Sequence, residues 1–168
     1  IDAIYGLPHQ NEARLLATLD KVVSLDPDRI ALFGYAHVPW MKKHQEMIPP
    51  ESLPGIEERF VQAESAARFL IAAGYVRVGI DHFAKPADAL AVAARRGALR
   101  RNFQGYTVDP ADALIGFGAS AISSLPNGYT QNEPTTGRYL ALISEGKLPI
   151  ARGVALNEED RLRRAVIE

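Results

Sequence analysis

Arg29-Ile30-Ala31-Leu32-Phe33-Gly34-Tyr35 is the stretch on which the fold turns. Four apolar side chains follow one another in it without alternation. A strand with one solvated face alternates apolar and polar residues; a strand covered on both faces does not. The run therefore predicts a strand of a parallel sheet. Asp26-Pro27-Asp28 just before it reads as a turn.

Working outward, the same alternation of element types recurs. Residues 1–5 read as a strand followed by Gly6-Leu7-Pro8, and residues 11–24 as a helix with Leu15, Leu16, Leu19, Val22 and Val23 on one face. Residues 38–55 hold Pro39, Pro49, Pro50 and Pro54 and predict a long irregular loop, a kind of segment often tied to function. Residues 56–73 predict a helix with a buried stripe of Phe60, Ala63, Ala67 and Leu70, stopped by Gly74. Residues 76–80 predict a third strand. Pro86 opens an Ala-rich helix that ends near Gly97. Residues 114–122 predict a fourth strand, in which Gly116 and Gly118 point to close approach of a backbone or ligand. A short helix over 136–145 ends near Gly146. A last helix starts near Asn157, where Glu158, Glu159 and Asp160 suit its dipole.

The order is βαβαβαβ, which implies an α/β fold with a parallel sheet. A doubly wound sheet and part of a (β/α) barrel both satisfy it. No G-x-G-x-x-G follows any strand, which favours the barrel segment. The expectation is a single unit: part of an incomplete TIM-like barrel over about 1–125, with a helical extension over about 134–168.

Bulk composition narrows the function. The chain has 168 residues, one domain by length, and 47% hydrophobic residues are enough for a core. A net charge of −1 makes no electrostatic case for nucleic acid. No apolar run is long enough to span a membrane. The chain starts inside an apolar run and stops in a charged helical one, so it reads as a piece of a longer protein. It has no cysteine, which excludes disulfides and any thiolate metal or iron–sulfur site within it.

Polar residues gather after three of the strands: His9 and Gln10, His37, and Asp81-His82. Carboxyl ends of strands build the sites of both candidate architectures. Asp81-His82 is the sharpest pair, suited to acid, base or ligand work, or to a merely structural histidine. His9, His37 and His44 would be needed to complete a metal site, and their spacing matches no standard ligand set. Asp2 sits among apolar neighbours, where a carboxylate needs partners. Those are either a ligand's hydroxyls or an arginine. Arg95, Arg96, Arg100 and Arg101 form a basic run, either a solvated face or a binder of small carboxylates, with Lys42 and Lys43 as possible contributors. No catalytic-triad or P-loop signature is present. Residues 101–107, RNFQGYT, read as a polar and aromatic loop that is either functional or a turn pinned to the core.

Several stretches together resemble one family. They are Asp2-Ala3-Ile4-Tyr5-Gly6-Leu7-Pro8, Tyr35-Ala36-His37-Val38-Pro39, Gly79-Ile80-Asp81-His82-Phe83-Ala84, the RNFQGYT run, residues 116–123 (GFGASAIS) and Tyr129-Thr130-Gln131-Asn132. They are similar, in unbroken order, to motifs of the radical SAM coproporphyrinogen enzymes. The DHFA and RNFQGYT stretches are those of the oxygen-independent coproporphyrinogen III oxidase family. Ile80 replaces the family's methionine, and the loop from Trp40 diverges.

The resemblance implies a radical SAM partial barrel in a cytoplasmic enzyme of heme biosynthesis. It implies S-adenosyl-L-methionine and a [4Fe–4S] cluster on a C-x-x-x-C-x-x-C loop as cofactors. Coproporphyrinogen III is the implied substrate, and an unidentified electron donor the implied partner. A 5′-deoxyadenosyl radical would take a hydrogen from a propionate; loss of carbon dioxide and one electron would leave a vinyl, twice over, to protoporphyrinogen IX. Asp2 and Ala36 match positions that contact S-adenosylmethionine, and Gln104 and Ile122 match positions that line the S-adenosylmethionine or substrate pocket. His82 and Arg101 are further candidates for the substrate pocket, Arg being suited to a tetracarboxylate. The cluster cysteines belong to an N-terminal part absent from these residues, so the fragment itself is expected to be inactive and to self-associate through exposed sheet edges. A non-catalytic heme-binding or heme-delivery relative is the alternative.

Overall fold

A computed structural model describes residues 1–102 and 105–167, and the chain falls into two compact units, Ile1–Leu99 and the residues from Arg100 onward. The first unit contains β1 (Asp2–Tyr5), α1 (Glu12–Ser24), β2 (Arg29–Gly34), α2 (Ile56–Ala72), β3 (Val76–Val78), β4 (His82–Ala84) and α3 (Ala89–Arg95). Its sheet has the order β1-β2-β4-β3. The strands do not close on themselves.

The continuous apolar run does form a strand paired in parallel with β1, Ala3 against Leu32 and Tyr5 against Gly34. α1 is the crossover between them. Asn11 caps it by accepting a hydrogen bond from the Arg14 N–H, and Leu15 and Leu19 are fully buried. They pack with Ala3, Ile30, Leu32, Ala66, Leu70, Tyr75 and Phe83. Each such aliphatic side chain contributes about 1.5–3 kcal/mol by leaving water.

Four expectations change in this unit. The stripe on α2 is rotated: Phe60 is 68% exposed, and Gln62, Ser65, Ala66, Ala67 and Leu70 are buried. Gln62 is drawn inward by two backbone partners, and the helix turns with it. The third strand ends at Val78. Gly79 takes a positive φ of 64°, the chain reverses, and His82–Ala84 returns antiparallel to both β3 and β2. Pro86 precedes α3 without opening it, because the cap is Asp88, whose side chain accepts from the Leu90 N–H. The loop at 38–55 holds two 3-10 turns, Lys43–Met47 and Pro50–Ser52.

The second unit contains β5 (Arg100–Asn102), β6 (Gly105–Thr107), β7 (Ile122–Leu125), β8 (Gly128–Asn132), α4 (Thr136–Ser144), β9 (Ile150–Ala155) and α5 (Glu158–Ile167). β5 and β6 pair antiparallel, so the arginine-led part of the RNFQGYT run is a hairpin strand and no open loop. The strand expected at 114–122 is displaced. Residues 115–121 form a loop, Leu114 makes an isolated bridge to Ser124, and the strand itself is Ile122–Leu125. Periodicity could not place it, because the glycines that permit the loop also read as a strand closely approached by a backbone or a ligand. β7, β8 and β9 form an antiparallel meander. No helix among the described residues is long and apolar enough to cross a membrane.

Candidate functional site

The alternation of β1, β2 and β4 sorts their side chains onto two faces. Ala3, Ile30, Leu32 and Phe83 turn toward the helices and the core. Asp2, Ile4, Ala31, Phe33 and His82 turn to the other face. The register then makes a row: Asp2 lies opposite Ala31, and Ala31 opposite His82. Strands about 4.8 Å apart put the Asp2 and His82 backbones about 10 Å from each other, with only a methyl side chain between. The next row is Ile4 opposite Phe33, 44% and 39% exposed. One carboxylate and an imidazole thus share a face with the exposed Ile4 and Phe33 beside them.

His82 is tightly oriented. Its Nδ1 lies 2.6 Å from Asp81 Oδ1, and its ring meets Phe33 edge to face with centroids 6.0 Å apart. A carboxylate only accepts, so Nδ1 carries the hydrogen of this bond. Asp81 is itself held, its carbonyl accepting from the Leu32 N–H at 2.7 Å. Asp2 makes no salt bridge among the described residues, so the arginine partner considered for it is not formed.

The loops at the carboxyl ends of β1 and β2 are clamped by residues that sequence reasoning passed over. Gln62, 2% exposed, accepts from the Gly6 N–H at 2.9 Å and donates to the Gln10 carbonyl at 2.8 Å. Gln45, also buried, accepts from the Val38 N–H at 2.6 Å and donates to the Ala36 carbonyl at 3.0 Å. Arg59 donates to the Tyr35 carbonyl at 2.9 Å, and a Cβ at Gly34 would come within 2.9 Å of its guanidinium. Ala36 is therefore an exposed small residue on a fixed backbone. The signal that existed was a glutamine interrupting an alanine-rich helix face.

In the second unit, Ile122 opens β7 opposite Gln131 and borders a recess of about 320 Å³ with Tyr129 and Arg152. The preceding loop is stapled from the Tyr129–Asn132 stretch. Asn132, 7% exposed, donates to the carbonyls of Gly116 at 3.2 Å and Gly118 at 3.0 Å. A Cβ at Gly116 would sit 2.6 Å from the Ile122 carbonyl oxygen, so glycine is required there by backbone contact. Arg101, on β5, stacks over Tyr106 at 5.4 Å. Gln104 and Phe103 lie outside the described residues. Asp2, Ala36 and His82 thus belong to the first unit, and Arg101 and Ile122 to the second.

Among the described residues no group of three or more His, Asp or Glu converges as a metal site. His9 adopts φ 57° at the start of the loop after β1, and the buried Nδ1 of His37 has no hydrogen-bond partner. The shifted ionisations lie elsewhere. Burial pushes the Tyr75 phenol up, and the hydrogen bond that Lys85 donates to Asp26 holds its ammonium up.

No protein-family model matches the chain. It is 53% identical over 167 residues to the oxygen-independent coproporphyrinogen III oxidase of Paracoccus denitrificans, covering 99% of this chain and 37% of that protein. The enzyme of the same name from Synechocystis is 46% identical over 168 residues, all of this chain and 36% of its own length. Among solved structures, the coproporphyrinogen III oxidase of Escherichia coli, described as a radical SAM enzyme, matches with a TM-score of 0.89 and 41% identity. The match covers 99% of this chain and 38% of that one. The chain therefore has the fold of part of a radical SAM enzyme, and it spans little more than a third of the relatives it matches.

Proposed function

We propose that this chain is the later part of the partial barrel, with the segment after it, of an oxygen-independent coproporphyrinogen III oxidase. The observation that carries the reading is 53% identity maintained over 167 residues with a relative of that name. The reaction is oxidative decarboxylation of two propionates of coproporphyrinogen III to vinyls, giving protoporphyrinogen IX in the cytoplasm. Each propionate loses one hydrogen atom, one carbon dioxide and one electron. An unidentified redox partner exchanges electrons with the enzyme.

The residues present suit one cofactor and do not suit the other. An Asp2 carboxylate outside any salt bridge among the described residues fits a pair of ribose hydroxyls. The exposed Ala36, on a loop tied down by Gln45, fits a flat ring lying against backbone. We assign Asp2, Ala36, Gln104 and Ile122 to S-adenosyl-L-methionine, which when bound supplies the hydrogen-abstracting group. The [4Fe–4S] cluster finds no donor, because the chain has no cysteine. Its ligands are assigned to a part of the protein outside these residues, and no step is derived through it. His82, oriented by Asp81, and Arg101 are assigned to the substrate pocket, where they hold a proton and bind a carboxylate respectively.

An anaerobic assay of the full-length protein tests the reading. Protoporphyrinogen should form with the full-length protein and not with the 168-residue chain. Heme binding without turnover would instead make it a heme-delivery relative, and a full-length sequence with no C-x-x-x-C-x-x-C would sink the reading outright. The free edge of β1, which pairs only with β2 among the described residues, should make the isolated chain associate in a sedimentation measurement.

A further inference from the structure

We propose that Arg152 is a carboxylate-binding residue of the recess that Ile122 borders. Its ligand is a carboxylate that ends a short aliphatic chain on a larger apolar body. The propionates of coproporphyrinogen III and the methionyl group of S-adenosyl-L-methionine both carry that chemistry, and binding measurements separate them. This rests on the function proposed above, which gives Ile122 a ligand, and adds the residue that takes the ligand's charged end.

The register of the three-stranded sheet puts the two residues on one face. Ile122 lies opposite Gln131, and Gln131 opposite Arg152. Directly opposed residues on neighbouring strands turn their side chains the same way. The next row on that face runs through Tyr129 and Val154. Ile122, Tyr129 and Val154 give apolar walls to the recess of about 320 Å³. That lies near the lower end of ligand pockets, about 300–1,000 Å³, and suits one arm of a ligand rather than a whole macrocycle.

The guanidinium is held from one side. Arg152 Nε donates to Gln131 Oε1 at 2.7 Å, and Gln131 Nε2 donates to the Ser120 carbonyl at 3.0 Å. A guanidinium only donates and a carbonyl only accepts, so the two ends together fix which way the amide points. Ser120 is itself pinned: it adopts φ 62°, and its N–H donates to the Glu133 carbonyl at 3.1 Å. A left-handed conformation is uncommon at a residue with a Cβ, and such strain gathers at binding sites.

Arg152 forms no other hydrogen bond and no ion pair among the described residues. It is also the one charged side chain of the recess lining among them, with no carboxylate beside it there. With Nε engaged, the edge made by Nη1 and Nη2 is left for an acceptor. That edge meets a carboxylate with two parallel hydrogen bonds. A lone cation, oriented from behind and flanked by apolar walls, is complementary to an aliphatic carboxylate.

The test is anaerobic binding to the full-length protein, with two acids and their carboxylate-free counterparts. Coproporphyrin III and its tetramethyl ester are titrated by fluorescence. S-adenosyl-L-methionine and 5′-methylthioadenosine are measured by equilibrium dialysis. Arg152→Gln should weaken an acid about tenfold or more, as loss of a charge-assisted pair requires, and leave its counterpart unchanged. Loss for coproporphyrin III assigns Arg152 to a propionate, and loss for S-adenosyl-L-methionine assigns it to the methionyl carboxylate. Arg152→Lys keeps the charge without the paired edge and should show a smaller loss of the same acid; it carries the reading if the glutamine variant does not fold. Unchanged affinity for both acids, or equal loss for an acid and its counterpart, would overturn the assignment. Such a result with protoporphyrinogen still formed would spare the proposed function. Arg152-dependent binding of an acid by a protein that forms none would do the reverse.

Discussion

In the first unit, a four-stranded sheet covers a core where Leu15, Leu19, Ile30, Leu70 and Val78 are fully excluded from solvent. In the second, the buried residues of the three-stranded sheet are the polar Ser123, Ser124 and Asn132, none of them fully excluded, while every residue of β9 is exposed and α4 buries none. The first unit is held mainly by non-directional loss of apolar surface, the second mainly by backbone ladders and side chains bonded to backbone. The difference teaches where each candidate residue gets its precision. Asp2 and His82 are placed by a packed sheet. The loop before Ile122 is placed by Asn132, which donates to it, and by Ser123 and Tyr139, whose hydroxyls accept from the Gly116 and Gly118 N–H groups.

The strongest way to break that contrast is Leu70→Ala. It removes a fully buried side chain of the first core and should cost about 2–5 kcal/mol in urea unfolding. Amides of β1 and β2 should then exchange faster, with β7 and β8 unchanged; equal loss of protection in both sets would merge the units into one cooperative structure. Asn132→Ala should cost less, about 1–3 kcal/mol, because it strips two carbonyls of their donor. Its effect should appear as faster exchange over 115–121, and wild-type exchange there would mean that the staple carries no stability.

The smallest effect is alkaline. Tyr75 donates to the Pro27 carbonyl at 2.7 Å and Lys85 pairs with Asp26 at 2.7 Å, so both pin the turn that leads into β2. Both groups titrate above their ordinary values of 10.0 and 10.5 in the folded chain, Tyr75 through burial and Lys85 through the Asp26 hydrogen bond. A raised value means the unfolded chain gives up its proton first. The stabilisation is therefore whole below about pH 10 and lost as pH rises through the folded values. Melting temperature should be flat to that point and fall beyond it, and Tyr75→Phe with Lys85→Met should flatten the fall.

Much of the local structure was legible because its causes are local. Asn11 and Asn157 cap α1 and α5, Gly74 and Gly146 end α2 and α4 in positive φ, and Leu15 with Leu19 marks the buried face of α1. Phe60 misled because a large apolar side chain outweighs a glutamine in any count of periodicity, although Gln62 had two buried backbone partners waiting. The glycines of 116–118 read as close approach of a backbone or a ligand within a strand; at Gly116 the approaching group is the Ile122 backbone carbonyl, and what misled was the placing of the strand, which begins only at Ile122. β9 was unreadable for a similar reason: its uniformly exposed Ile150–Ala155 has no periodic signature, and it is a strand because β8 offers it hydrogen-bonding partners.

The sequence by itself determined the first strand–helix–strand, the start of the last helix near Asn157, the glycine stops at Gly74 and Gly146, the motif order and the absence of any thiolate ligand. These depend on neighbours within a turn or two, or on composition alone. Only the tertiary structure decided that residues 76–84 form a hairpin and that Asp2, Ala31 and His82 stand in one row. It also decided that Gln45, Gln62 and Asn132 hold the loops around the candidate positions. Register between strands separated by helices is set by which pairing buries the most apolar surface while satisfying every backbone donor and acceptor. That is a property of the whole folded unit, which no local window contains.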